Sequence, residues 1–388
     1  MTALEGHWEL RVRDPNRELV ATIDDYAQAV FEARFNDVGA WMIKGMPVGS
    51  DAVDALVPGA GIVALRDGEV EMAGPLLFPT FRWDTKGYVL DASGASDDLA
   101  LAARLAYPDA PSTNLNGAYS DDRTGVASTI MRQYVDVNAG PSADATRRWA
   151  GLTMDVDPGL GSTVSYSARN DLLLDLLRQL ANVDGLGFRI VQDDDSTDLL
   201  FQVYDPTDRS TTAIFSPALG NLAAYLYSVK APQTNFVVVG GGGEGTLRTF
   251  SAFGDNDSIA TWGMRLEGFV DQRQTTDATA LVQAGEDELA QKSSQTAVEL
   301  TPVDTTAMAY RTAYALGDLV SVRFDGVTVN DVVRAISFTL DGSGERIVPT
   351  VGTPGATIVG SSERSAVDLL LARMQSMSRR LSRLAAAQ

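Results

Sequence analysis

The first 95 residues alternate between short apolar–polar runs and turn dipeptides, a rhythm that suits strands and leaves little room for long helices. "WELRVRD" (8–14) and "ELVATID" (18–24) alternate on either side of Pro15–Asn16. "QAVFEARF" (28–35), with Val30 and Phe31 adjacent, is turned by "NDVG" (36–39) and returns as "AWMIKG" (40–45). A short helix is predicted at 51–57. "GIVALRD" and "GEVEMAG" (61–74) make a hairpin with Asp67–Gly68 at the tip, and "FRWDTKGYVLDA" (81–92) makes another. Short strands at this spacing predict a barrel or sandwich.

The period then changes. Helices are predicted at 97–106, 120–138 and 167–182; in the last, Leu173, Leu176, Leu177 and Leu180 share a face and Ser167 or Asn170 can cap it. "LGFRIVQD" (186–193) and "DLLFQVYD" (198–205) form a hairpin over an acidic tip. Strands are predicted again at 222–230, 235–240, 246–253, 260–270, 296–302 and within 316–352, with a helix at 276–292. The fold class is α+β, mostly β. Two small β-barrel-like domains (1–95 and 211–355) flank an α/β insertion (96–210), and residues 356–388 form a linker and a C-terminal coiled-coil-like helix.

In that last segment Val367, Leu370, Met374, Met377, Leu381 and Leu384 stand 3, 4, 3, 4 and 3 residues apart. This is an apolar heptad seam, and behind a Gly/Pro/Ser linker it predicts oligomerisation rather than docking on its own domain. Residues 361–388 hold five arginines against Glu363 and Asp368, a net of +3. The chain's −20 therefore leaves −23 on residues 1–360.

The run "NFVVVGGGGEGTLRTF" (235–250) sets Gly240, Gly242 and Gly245 in the G-x-G-x-x-G spacing of a dinucleotide site. That site needs a helix opening at its last glycine, because the helix N-terminus holds the pyrophosphate. The residues after Gly245 read as strand, so Gly240, Gly241, Gly242, Gly243 and Gly245 are expected to be a structural turn between strands, with no cofactor.

Absence of cysteine excludes disulfides, thiolate metal sites and thiol nucleophiles, and fits synthesis in a reducing cytoplasm. One histidine, His7, precludes a multi-histidine metal site. No run of about 18 apolar residues exists to insert stably in a membrane, and no secretory signal opens the chain. The acidic balance argues against wrapping nucleic acid, but an acidic lumen would let DNA slide through.

Asp155 and Asp157, Asp193, Asp195 and Asp198, and Asp255 and Asp257 are clustered acids open to Ca2+, yet none has the EF-hand spacing, and solvated turns are the plainer account. A carboxylate pair for glycoside hydrolysis is conceivable. G-x-S-x-G, H-E-x-x-H and the P-loop are missing, and no catalytic or metal residue is assigned.

Several stretches in order carry a resemblance over about residues 5–355. They are "RVRD" with "NRELVATID", "FEARFNDVGAWMI", "LLLDLLRQLAN" with "GLGFRIVQ", Val238 to Gly245 with Arg248, "LGDLVSV" (316–322) and "IVPTVG" (347–352). The chain resembles the tail-tip hub proteins of long-tailed, non-contractile phages, typified by the ReqiPepy siphovirus tail protein. Gly242 departs from the pattern, where a larger polar residue, often Gln, is expected. The resemblance implies a homotrimer whose two barrel-like domains per chain build a pseudo-six-fold ring. That ring would join the six-fold tail tube and distal tail protein to three-fold fibres or other tip proteins, with DNA as transiting cargo. It would act in the virion tail tip after synthesis in the host cytoplasm. Larger relatives append a peptidoglycan-cutting domain; here a helix is predicted instead, so an enzymatic role is not carried over. The rival readings are a tail-associated cell-wall glycan hydrolase and a carbohydrate-binding adhesin module.

Overall fold

A computed structural model describes residues 6–352, apart from 86, 193–196, 274 and 304–307. The heptad positions Val367 to Leu384 lie outside the described residues. The chain divides into two compact units. Among the described residues, the larger takes in those up to Ala224 and Leu300–Pro349; the smaller takes in Tyr225–Glu299 and Thr350–Gly352.

In the larger unit the opening rhythm becomes seven strands: β1 (Trp8–Arg13), β2 (Leu19–Thr22), β3 (Gln28–Arg34), β4 (Ala40–Pro47), β5 (Gly61–Arg66), β6 (Glu69–Asp84) and β7 (Gly87–Ala95). A short helix, Asp51–Ala55, starts at Ser50, whose hydroxyl accepts from the Val53 amide. The β5–β6 turn has Asp67 at φ 54° and Gly68 at φ 84°, the left-handed pair that matches strand twist in a two-residue hairpin.

The predicted barrels do not form. From Val327–Asp341 the sheet runs through β3, β4, β7, β6, β5 and β1 to its end at β2, and no pairing among the described residues closes it. Two features explain this. β3 pairs with β4 on one edge and, on the other, with the late strand Val327–Asp341, from Ala335↔Arg34 to Asp341↔Gln28. β6 is 16 residues long. Its first half pairs with β5 and its second with β7, with a register shift between Leu76 and Phe78. The sheet bends there, and its limbs meet through side chains. Trp8 stacks on Phe31 at 5.4 Å and meets Phe338 edge-on at 5.3 Å. Glu345 fastens the two limbs by accepting from Trp8 Nε1 (2.7 Å), the Gly6 amide (3.0 Å) and Arg66 Nε (2.6 Å). Burial opposes its charge, but these donors, Arg66 foremost, hold its carboxyl below the usual range.

The α/β segment builds on helices Ala127–Asn138 and Leu173–Asp184 and on the strands Leu152–Met154, Gly187–Gln192 and Leu199–Tyr204. Leu173, Leu176, Leu177 and Leu180 are buried, as their shared face predicts, in a core that also takes Val38 and Ala95. Several boundaries differ from expectation. Residues 121–126 are a strand, and only 127–138 are helix. Ser167 lies in the strand Thr163–Ala168, and Asn170 has φ 64°, so neither caps the next helix. That helix begins after Leu172, and Gly185, left-handed at φ 71°, ends it.

In the smaller unit the strand Phe236–Gly240 pairs antiparallel with Phe250–Gly254 and parallel with Glu267–Asp271. The helix Ala278–Gln291 covers this sheet, and Val237, Val239 and Leu281 form the buried centre. Residues 256–262, expected in part as strand, are a helix, capped by Asp255 through the Ser258 amide. The Asp/Asn/Ser run competes for backbone groups as a cap rather than feeding a ladder.

Candidate functional site

The glycine run is held by backbone. After Gly240 the chain crosses to the next strand through a three-residue 3₁₀ turn, Gly245–Leu247, and resumes as strand at Phe250. No helix opens at Gly245, so the element that would hold a pyrophosphate is missing from this turn. The Gly241 amide donates to the Thr249 carbonyl (2.9 Å) and the Gly242 amide to that of Thr275 (2.8 Å). Arg248 lies under the loop. It donates to the Gly241 carbonyl (2.9 Å) and the Gly240 carbonyl (3.0 Å), and pairs with Asp271.

The glycines are not equivalent. A Cβ at Gly240 would stand 2.6 Å from the Arg248 guanidinium, and one at Gly241 would stand 2.6 Å from Thr249 Oγ1. At Gly242 the nearest atom would be Thr276 Cγ2 at 3.0 Å, so the larger residue expected there would crowd Thr276 and the carbonyls of Arg273 and Thr275. Gly243 has φ 111° and its Cβ would sit 2.5 Å from the Leu247 carbonyl oxygen; Gly245 has φ 55° and open space.

The acidic clusters do structural work where they are described. Asp157 accepts from Ser128 Oγ (2.9 Å), Thr129 Oγ1 (2.6 Å) and the Gly159 amide (3.0 Å), tying a loop to the start of a helix. Burial opposes its charge, yet those donors lower its pKa. Asp155 accepts from Gln202 Nε2 at 2.8 Å. Asp193 and Asp195 lie outside the described residues. Among the described residues no group of three acids or histidines is placed to hold a metal ion, and no helix is long and apolar enough to cross a membrane. His7 is exposed, its amide donating to Asp67 Oδ1 at 2.8 Å.

Sequence reasoning missed a surface feature. The outer part of the β6–β7 hairpin is exposed on both sides, from Pro79 to Trp83 and at Gly87–Tyr88. Its register sets Phe81 opposite Leu90 and Trp83 opposite Tyr88. Opposed residues share a face, so Phe81, Trp83, Tyr88, Pro79, Leu90 and Ala92 line one side of the ribbon. Leu90 and Ala92 are fully buried, whereas Phe81, Trp83 and Tyr88 are 53%, 75% and 48% exposed. The apolar face thus runs out of the core into solvent. The alternation F-x-W was visible in "FRWDTKGYVLDA"; the cover for that face was not.

The larger unit is a bent open β sheet with an α/β segment, and among the described residues no group of acids or histidines is assembled to hold a metal ion. The chain belongs to the Siphovirus ReqiPepy6 Gp37-like protein family, whose model matches residues 9–353. Solved structures share the fold at low identity. The 43 kDa tail protein of prophage MuSo2 from Shewanella oneidensis is 13% identical, with TM-score 0.56 over 88% of this chain and 98% of that one. A tail protein from Neisseria meningitidis MC58 is 14% identical, with TM-score 0.55 over 90% and 97%. Prophage tail protein gp18 from Listeria monocytogenes EGD-e is 12% identical, with TM-score 0.52 over 90% and 96%. Comparison with curated protein sequences finds no match.

Proposed function

We propose that this protein is the structural hub of a phage tail tip. It works by assembly rather than catalysis. Three copies form a ring that joins the six-fold tail tube, through the distal tail protein, to three-fold fibres or other tip proteins. The observation that carries this reading is the family match across nearly the whole described chain. The heptad positions Val367, Leu370, Met374, Met377, Leu381 and Leu384 supply a further self- or partner-association element, and the +3 of their segment contrasts with the −23 of residues 1–360. DNA is transiting cargo. A basic lumen would retain it through counterion release, whereas an acidic lumen repels the duplex and keeps passage fast.

The test is imaging of purified particles with this subunit labelled, together with its mass in solution. Three copies at the tail tip, with Asp and Glu lining the pore in excess over the outer wall, is the expected result. A subunit found elsewhere in the particle, a chain that stays monomeric within it, or a neutral or basic pore overturns the reading.

A further inference from the structure

We propose that the β6–β7 hairpin is an arm that docks on the β2 edge of a second copy of this chain; this rests on the ring reading above. A two-stranded ribbon is marginal in water unless its apolar face is covered. Here that face keeps strict alternation past the point where the core ends. Phe81, Trp83 and Tyr88 lie on one side; Thr80, Arg82 and Asp84 lie on the other. Phe81 and Tyr88 pack side by side with ring centroids 6.0 Å apart, so the aromatic face is a continuous surface.

The same unit carries a surface that suits it. Among the described residues β2 pairs only with β1 and ends the sheet order, leaving its outer edge open to another chain. Leu19 and Val20 on β2 are 45% and 49% exposed, and Val57, just past the helix that packs on β2, is 45% exposed. Exposed acids lie near these aliphatics along the chain: Glu18, Asp24, Asp25, Asp51 and Asp54. The arm brings Arg82, whose pairs to Asp84 (3.0 Å) and Asp91 (3.9 Å) are solvent-facing and exchange readily. An aromatic arm carrying an exchangeable arginine thus matches an aliphatic edge with exposed acids beside it.

Arm and edge are different surfaces, so the contact is head-to-tail, the kind that closes rings. Three aromatics already partly covered would add roughly 300 Å² per side, against roughly 800 Å² per partner in a stable interface. The arm is therefore one contact of a ring that has others.

The chain has no cysteine, so cross-linking is clean. Full-length protein carrying Trp83→Cys with Val20→Cys, or Trp83→Cys with Val57→Cys, is oxidised mildly and run without reductant. At least one pair should give covalent multimers up to the ring size, reversed by dithiothreitol, while each single variant gives none. All three positions are exposed, and circular dichroism checks that the fold is kept. An oligomeric protein by light scattering in which neither pair cross-links overturns the arm but leaves the ring. Dimers from Trp83→Cys alone would mean that arms meet one another, and also overturn it. Wild-type binding to phosphatidylglycerol vesicles, lost in Trp83→Ala and without cross-linking, would assign the arm to a lipid surface instead. A chain monomeric at every concentration overturns the ring reading beneath it.

Discussion

Arg13 and Asp97 face each other in a bidentate ion pair, NH1–Oδ2 2.9 Å and NH2–Oδ1 2.5 Å, with both side chains almost fully buried. Arg13 NH1 also donates to Gln192 Oε1 at 2.6 Å, so one guanidinium joins β1, the end of β7 and the strand Gly187–Gln192. Removing one partner strands a buried charge. Asp97→Ala should cost about 3–5 kcal/mol, read as a lower urea midpoint. The double change Arg13→Met with Asp97→Leu should recover most of it, because the penalty belongs to the unpaired ion rather than to the loss of a bond.

Asp98, the next residue, has the opposite environment. Its carboxylate accepts from the Ile190 amide (2.7 Å) and Ser96 Oγ (2.9 Å), yet burial, with Asp97 and Asp37 nearby, pushes its pKa up to about 7. A raised carboxyl pKa means that the folded state holds the proton more tightly. Its stabilising contribution is full below the unfolded value near 3.8 and is lost as pH rises through about 7. Asp98→Asn should therefore gain stability relative to the wild type as pH rises from about 4 to about 7, by about 1–3 kcal/mol, and level off above that. Chemical denaturation across that range checks it; a difference independent of pH would contradict it.

The glycine turn gives a graded test. Gly245→Ala meets only the left-handed backbone and should cost about 1 kcal/mol. Gly243→Ala adds a collision with the Leu247 carbonyl and should cost about 2–4 kcal/mol. Thermal unfolding of the two variants separates them. Isothermal titration with NAD, FAD and ATP should show no saturable binding, since no helix opens at Gly245. Binding abolished by Gly242→Val would refute the structural account.

In the C-terminal seam, Met374→Asp with Met377→Asp would set charge where the heptad pattern places apolar contacts. The expected result is a lower mass by light scattering and poor incorporation into particles, at a cost of several kcal/mol to association, with residues 1–360 still folded. Unchanged mass and incorporation would leave the seam without an assembly role.

Local signals were legible where residues within a turn or two of one another decide the outcome. Asp67–Gly68 marked its hairpin, and the leucines of 173–180 marked their buried face, because turn chemistry and helical period act over a few residues. Closure of the sheet was not legible. The pairing of Phe31 with Phe338 leaves no trace in either strand's own pattern, so two barrels were expected where one bent open sheet forms. The Asp255 helix was misread because "GDNDS" serves equally as a turn and as a cap. The glycine run was legible only through the strand-like residues beyond Gly245. The aromatic arm was legible as a hairpin but not as a surface, since exposure depends on how far the neighbouring strand β4 extends alongside β7.

The pairing of β3 with residues 335–341 also sets a clock on synthesis. β3 leaves the ribosome roughly 300 residues before its partner, and at roughly 5–20 residues per second that is a wait on the order of 15–60 s. Throughout it Ala29, Val30 and Phe31 have one ladder edge satisfied by β4 and the other bare. Nascent chains on the same message would present identical bare edges side by side. This is the interval in which a chaperone, or slower translation of the last third, would decide how much of the protein reaches assembly.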